Sequence, residues 1–479
     1  MLELNRRDSL LLSAAGLTWT LALGGCDKIF EKIKNRPVRR DVRTMANNDP
    51  MLQTYRDGIA AMQALPASDP RNWATLAAVH LNTCPHGNWF FLPWHRAYLM
   101  SIEAIIRKLT GNSGFAMPYW NWQCQRAIPG PFWEAGSILN PATPATQPPY
   151  AFTRGIGSSD QADETMVGPA TLTGILSETD FELFASGAAT ALRGGGGSYG
   201  GLEATPHNYV HGFISGTMGG YLSPKDPIFW LHHNVLDYFW YAWNSMGNAN
   251  TGDSFWNGFD LTMFVDGDGN PATYKVGALP LAPLISYRFE APTGCIRPFD
   301  RADDGRLKAF LEKARQIRFK PIREWPIPPR PIPPLDGLRV QRAAVSLPPD
   351  AARAVMAEGG KERLLLRIDN VSAPPGSPYY VRVFVDLPAG ADPSPTSPHY
   401  AGAFAFFGDE HHQMAFNTHV DLTKTVQRLA AERALSAEAP SISFVTVPMR
   451  EKAQLARPIQ IGGVTPLLIA ARDVPKSVR

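Results

Sequence analysis

Cysteine is scarce in this chain of 479 residues: Cys26, Cys84, Cys124 and Cys295 are the full set. They lie far apart and form no CxxC pair, which argues against a zinc ribbon or a thioredoxin-type redox site. Four cysteines in so long a chain are not a disulfide scaffold either. Charge of one sign is also lacking. The formal net charge is +3 with the basic residues scattered, which gives no electrostatic case for nucleic acid. No internal repeat occurs, and the glycine run Gly194–Gly197 is followed by no phosphate-loop lysine.

Turn-forming and aromatic residues are plentiful. With 43 prolines and 41 glycines, much of the chain is expected in loops, while 12 Trp and 24 Phe suit a dense aromatic core or an aromatic-lined pocket. Apolar content of 44% with 19% charge is ordinary for a globular protein. The length predicts two or three domains.

The N-terminus reads as an address. Arg6 and Arg7 precede an apolar stretch from Leu10 to Gly25 that carries charge only at its front and is short for a membrane span. It resembles a twin-arginine export signal, so the export machinery is an expected partner. A retained hydrophobic anchor is the alternative. Leu23-Gly24-Gly25-Cys26 resembles a bacterial lipoprotein box, in which Cys26 becomes a lipidated first residue and holds the protein to a membrane. An ordinary peptidase site beside a free cysteine fits equally. The mature protein is then periplasmic, membrane-anchored or secreted. Residues 1–26 are read as signal and 27–49 as a tether.

Residues 50–250 carry helical patterns between long loops, within a domain read as 50–320. Helices are expected over Asn72–Leu81, over Trp94–Leu109, whose basic end suits the helix dipole, and after Asp226-Pro227, with Asp as cap and Pro in the first turn. Residues 321–337 (PIREWPIPPRPIPPLDG) read as a stiff proline-rich linker. Beyond it, short apolar or alternating runs at 363–368, 379–385, 401–407 and 441–449, with one helix near 421–435, predict a β-rich, sandwich-like domain over 338–479.

Seven of the eleven histidines fall into two groups: His80, His86 and His95, then His207, His211, His232 and His233. Several histidines inside apolar helical segments need partners, and a metal is the usual one. His207 and His211 are four apart and share one helix face, and His233 lies in a second helix that can close the set. His80 ends one helix, His95 begins the next, and His86 lies between. Each group offers three neutral nitrogens to one ion. Imidazole suits zinc, copper, iron and nickel. A hydrolytic zinc site wants a glutamate base as in HExxH, which is absent. A carboxylate-bridged di-iron site wants carboxylate ligands. Redox copper fits best.

HLNTCPHGNWFFLPWHRAYL (80–99) resembles the copper-A motif of tyrosinases, catechol oxidases and molluscan haemocyanins. HNYVH (207–211) with DPIFWLHHNVLDYFW (226–240) resembles their copper-B motif. The resemblance runs over about residues 50–250 and, more weakly, into the C-terminal part. It implies a mainly α dicopper domain with a four-helix bundle core, followed by the β-rich domain. It implies that His80, His86 and His95 bind one copper and His207, His211 and His233 the other. Dioxygen is then the co-substrate and small phenols are the substrates. His232 cannot face the same ion as His233, because neighbouring helical residues point about 100° apart; it is expected beside the site.

The resemblance also suggests a thioether between Cys84 and His86. It implies that Glu203 and Asn208 hold a water that takes the phenol proton, the bland alternatives being a helix-start carboxylate and a loop hydrogen bond. Asp237, one turn after His233, is expected to orient a ligand imidazole. Where the family often has arginine next, this chain has Tyr238. Asp266–Asn270 mimics the start of a calcium loop but has Pro271 and Gly277 at positions that require Gly and Glu, so a hairpin turn is expected. His411, His412 and His419, with Asp409 and Glu410, read as polar loop residues.

The function implied is oxidation of o-diphenols to o-quinones, with ortho-hydroxylation of monophenols. The alternatives are a catechol or o-aminophenol oxidase lacking monophenol activity, and a haemocyanin-like oxygen carrier. In relatives the C-terminal domain covers the copper site and keeps the enzyme latent, with the proline-rich linker as the natural cleavage point.

Overall fold

Four helices of 11 to 20 residues form the scaffold of the N-terminal half: α1 (Pro50–Ala64), α2 (Trp73–Thr83), α3 (Phe91–Thr110) and, after a short α4 (Asn208–Ile214), α5 (Ile228–Ser245). This is a computed structural model, and it describes residues 35–143, 148–194, 197–292, 321–325, 332–336, 341–356, 362–374, 376–408, 415–436, 439–450, 453 and 455–470. The signal stretch with Cys26, and also Cys295, His411 and His412, lie outside the described residues. Among the described residues no helix is long and apolar enough to cross a membrane.

Local chemistry sets the helix ends. Asn72 caps α2, its Oδ1 accepting from the Ala74 amide at 3.0 Å. α3 stops at Gly111, whose φ of 72° only glycine adopts cheaply, after a last turn carrying Arg107 and Lys108. Asp226 Oδ1 accepts from the Ile228 amide at 3.1 Å at the head of α5, while its carboxylate also pairs with buried Arg154 at 2.7 Å. Every residue of α5 is buried, as expected for a helix that is apolar nearly all round.

The chain divides into two units. Of the described residues, the first unit holds 35–161, Ala191–Arg193 and those from Tyr221 to 292. The second holds Ala162–Thr190, Gly194–Gly220 and everything from residue 321 on. By this division residues 162–190 and 194–220 group with the C-terminal residues, whereas the sequence reading places them in the 50–320 domain.

Two further boundaries differ from the sequence reading. The end of the supposed tether is core: β1 (Val38–Arg39) pairs in parallel with β4 (Arg288–Phe289), and Arg39 is fully buried. The reason is charge. Arg39 bonds Glu103 at 2.8 Å and Asp237 at 2.7 Å, joining two buried carboxylates that otherwise have Arg107 and Arg96 as their ion-pair partners. The described part of the proline-rich linker is not a free spacer either. Its β5 (Arg323–Glu324) pairs antiparallel with β12 (Gly463–Ala470), and Leu335 exchanges backbone hydrogen bonds of 2.9 Å with Ile459. Prolines are tolerated there because an edge strand donates on one side only.

In the first unit, β2 (Asp260–Val265) and β3 (Pro271–Lys275) make a hairpin, with Asp266 Oδ1 accepting from the Asp268 and Asn270 amides across its turn. In the second unit, two four-stranded sheets stand in the orders β10-β7-β12-β5 and β6-β11-β8-β9. The strands are β6 (Gln341–Ser346), β7 (Glu362–Val371), β8 (Tyr379–Val385), β9 (Tyr400–Phe404), β10 (Phe416–Asp421) and β11 (Ser441–Pro448). Alternation assigns the faces. Leu364, Leu366 and Ile368 of β7 meet Val381, Val383 and Val385 of β8 in one apolar core, whereas Leu365 points to a separate cluster with Leu467. The helix over Thr423–Ala431 (α6) adds Val426 and Leu429 to that core. This is the sandwich expected from the alternating runs.

Candidate metal centre

In the first unit, His80 lies in the last full turn of α2 and His95 in the second turn of α3. Gly87, at φ 68°, lets the intervening loop turn back and present His86. The three rings form a nearly equilateral triangle, with centroids 5.6, 5.7 and 5.7 Å apart. Ligating atoms of His80, Cys84, His86 and His95 all lie within 4.8 Å of one another, and all four side chains are buried.

Hydrogen bonds fix the tautomers. His80 Nδ1 lies 2.7 Å from the Tyr221 carbonyl and His95 Nδ1 lies 2.8 Å from the Phe91 carbonyl. A carbonyl only accepts, so Nδ1 carries the proton and Nε2 keeps the lone pair a metal needs. Cys84 Sγ stands 3.9 Å from both ring nitrogens of His86, on the plane that bisects that ring through Cε1, and 3.4 Å from His95 Nε2.

On α5, the His233 ring lies parallel to that of His95, 4.0 Å away, with Phe229 at 4.2 Å. His232 is held differently. The Trp122 indole donates to its Nδ1 at 3.2 Å. Indole is a donor only, so Nδ1 spends its lone pair there and the proton sits on Nε2, the reverse of His80 and His95.

In the second unit, a π-turn over Glu203–His207 leads into α4. Pro206 inside it has no amide to donate, and the Asn208 amide reaches back to the Glu203 carbonyl, which widens the turn. His207 and His211 lie one turn apart with ring centroids at 4.6 Å. Their Nδ1 atoms face oxygen acceptors, Asn208 Oδ1 at 2.8 Å and the Met218 carbonyl at 2.6 Å. Burial pushes the His211 pKa down to about 4, so the ring is neutral at pH 7. Glu203 is fully buried and its carboxylate contacts the Ser186 hydroxyl. The Asn208 side chain donates through Nδ2 to the Ala405 carbonyl at 3.3 Å. Phe407 lies 4.6 Å from the His211 ring and 5.8 Å from that of His207.

Four histidines on two units are thus buried imidazoles locked with the proton on Nδ1. Such donors suit copper and exclude the hard cations that want oxygen. Asp237 does not do what the sequence suggests. Its carboxylate is taken by Arg39, by Arg96 at 2.5 Å and by the Tyr287 hydroxyl at 2.5 Å, so it braces α5 rather than a ligand ring. Tyr238 stacks on Tyr119 at 5.5 Å instead of joining an ion pair. Sequence reasoning missed Trp122, Phe229 and Phe407. Only Phe229 carried a signal, being one turn before His233 on an apolar helix.

Comparison with known proteins agrees with this chemistry. The family model for the common central domain of tyrosinase matches residues 59–131 and 124–246, and a domain of unknown function, DUF7868, matches 337–465. Tyrosinase HcTyr1 of Hahella sp. (strain CCB-MM4) is 27% identical over 375 residues, covering 72% of this chain and 74% of that protein. (+)-Larreatricin hydroxylase of Larrea tridentata, a chloroplastic protein, is 29% identical over 279 residues, covering 50% of this chain. The match spans 47% of that hydroxylase and 55% of the latent polyphenol oxidase of Prunus armeniaca, about half of each plant relative. The fold is that of latent apple tyrosinase, with a TM-score of 0.64 at 21% identity over 91% of this chain and 97% of the other.

Proposed function

The chain belongs to the tyrosinase and polyphenol oxidase family of copper-dependent phenol oxidoreductases, and on that premise we propose that it oxidises o-diphenols to o-quinones with dioxygen and also hydroxylates monophenols. The shared tautomer of His80, His95, His207 and His211 carries the reading, because it leaves each Nε2 able to bind a metal. His80, His86 and His95 would hold one copper; His207, His211 and His233 would hold the other. Copper bound there would take electrons from the phenol and deliver them to dioxygen.

The chain's own groups do the rest. Glu203 takes the phenolic proton through a water that Asn208 helps to hold. Apolar walls such as Phe229 keep bulk water from the reacting ring. Cys84, beside His86, would form a thioether that fixes that ring, the thiol hydrogen and one ring hydrogen leaving as protons and the two electrons passing through the bound copper to dioxygen; a peptide lighter by two hydrogens in mass spectrometry is the expected signature. The same reading has the chain exported as a twin-arginine substrate and anchored if Cys26 is lipidated.

The test is to express the chain from residue 27 with copper and follow L-tyrosine and L-DOPA at the quinone absorbance. Quinone from both supports the proposal. Quinone from L-DOPA alone removes the monophenol step and leaves a catechol oxidase. Neither, in protein holding two coppers, would turn the reading to an oxygen carrier.

The C-terminal domain is proposed to cover the second copper through Phe407, whose ring sits where a substrate ring would approach His211. Displacing a half-buried phenyl ring costs about 1–1.5 kcal/mol, roughly half of what full burial is worth. Phe407→Ala is therefore expected to raise kcat/KM for L-DOPA by roughly 5- to 10-fold. An unchanged or lower value in the copper-loaded variant would remove Phe407 from this role.

A further inference from the structure

We infer that the C-terminal sandwich is a fixed half of the copper-B machinery, positioning Glu203, His207 and Asn208, and not a cover that can be cut away. This rests on the role proposed above for Glu203 and Asn208. The segment bearing those residues folds in the same unit as the sandwich.

Four ties run along the segment. Tyr199 makes a parallel bridge to Thr418 of β10, its amide donating to the Asn417 carbonyl at 2.9 Å and its carbonyl accepting from Thr418 Oγ at 3.3 Å. The Ala405 amide donates to the Ala204 carbonyl at 2.7 Å. Thr205 Oγ donates to the Ala403 carbonyl at 3.1 Å. Asn208 Nδ2 donates to the Ala405 carbonyl, which turns Asn208 Oδ1 toward His207 Nδ1. Tyr199 and Ala204 belong to the apolar core between the two sheets.

Ion pairs fasten the preceding stretch of chain. Arg363 of β7 bonds Glu178 at 2.8 Å. Tyr380 and Arg382 of β8 bond Asp163 at 2.6 and 3.3 Å, and the Asp163 amide donates to the hydroxyl of Tyr209 on α4. Removing the sandwich would strip buried backbone groups on both sides of Glu203 of their partners, a heavy cost. Activation by local displacement of Phe407 remains open to such a fold, whereas activation by loss of the domain does not.

A site-specific protease cut introduced at residue 330 of the copper-loaded full chain tests this, read by native size-exclusion and by copper per chain. The two pieces are expected to co-migrate with both coppers kept, or to part only with loss of copper. Separation in native buffer that leaves both coppers on the N-terminal piece would overturn the inference. Neither readout needs phenol turnover, so the result stands even if the proposed activity fails. Positioning is tested by Thr205→Val in the full chain. Its kcat for L-DOPA is expected to fall roughly tenfold with KM and copper content unchanged, and Thr205→Ser to restore it. An unchanged kcat in Thr205→Val would overturn the positioning role.

Discussion

Replacing Asp237 by alanine should destabilise the first unit by about 3–5 kcal/mol, the usual cost of removing one partner from a buried ion network. Arg39 and Arg96, both fully buried, face Glu103 and Asp237, 1% and 3% exposed, and Arg107, a quarter exposed, adds a third guanidinium 3.4 Å from Glu103. Burial lowers the Arg39 pKa, but Glu103, Tyr287 and Asp237 together raise it further, so the guanidinium stays charged. Burial and the Asp237 carboxylate raise the Tyr287 pKa, which keeps its hydroxyl protonated as a donor. With alanine at 237, Arg39 keeps Glu103, but Arg96 is left with the Leu279 and residue-237 carbonyls and no carboxylate in a buried setting.

The effect is read from the denaturant midpoint of the variant. The comparison is Asp268→Ala, which removes a pair with Lys108 whose partners are 57% and 56% exposed. That loss should stay within about 0.5 kcal/mol. If the two variants lose the same stability, the buried network is not a brace. The fall should include β1, because Arg39 ties that strand to α3 and α5 and also lies 3.5 Å over the Tyr287 ring.

The sequence made the two buried histidine groups legible because their signals are local. Histidines at i and i+4, a cap before α2 and alternation in β7 and β8 all lie within one turn or one strand of what they describe. What stayed hidden depends on partners far away in the chain. Arg39 reads as tether because its carboxylates lie 64 and 198 residues on. Helix geometry places His232 beside the site, but that Trp122, 110 residues earlier, claims its Nδ1 is written in no local pattern. Residues 162–220 look like a helical-domain loop, and their strand-like ties through Tyr199, Ala204 and Thr205 run to residues 403–418. No periodicity announces a single bridge. Phe407 is one apolar residue at the end of a run of small and aromatic residues, and only the fold shows which ring it meets.

Glu203→Gln is expected to lower kcat for a monophenol by 10²- to 10⁴-fold, the usual contribution of a positioned general base. The swap keeps shape and hydrogen-bonding reach but removes the basic oxygen. The histidines and their Nδ1 partners are untouched, so two coppers per chain and a near-normal KM should remain. Monophenol turnover should suffer more than diphenol turnover, because hydroxylation requires the sole phenolic proton to leave before the ring reacts. Ser186 gives a graded control. Ser186→Ala leaves the carboxylate in place but removes the hydroxyl that contacts it, so Glu203 keeps its base and loses only some of its orientation. Its loss should be smaller than that of Glu203→Gln. Equal losses in the two variants would mean that Ser186 and Glu203 act as packing around His207 rather than as an oriented base. An unchanged monophenol rate in Glu203→Gln, with both coppers present, would move the proton-accepting role to another group.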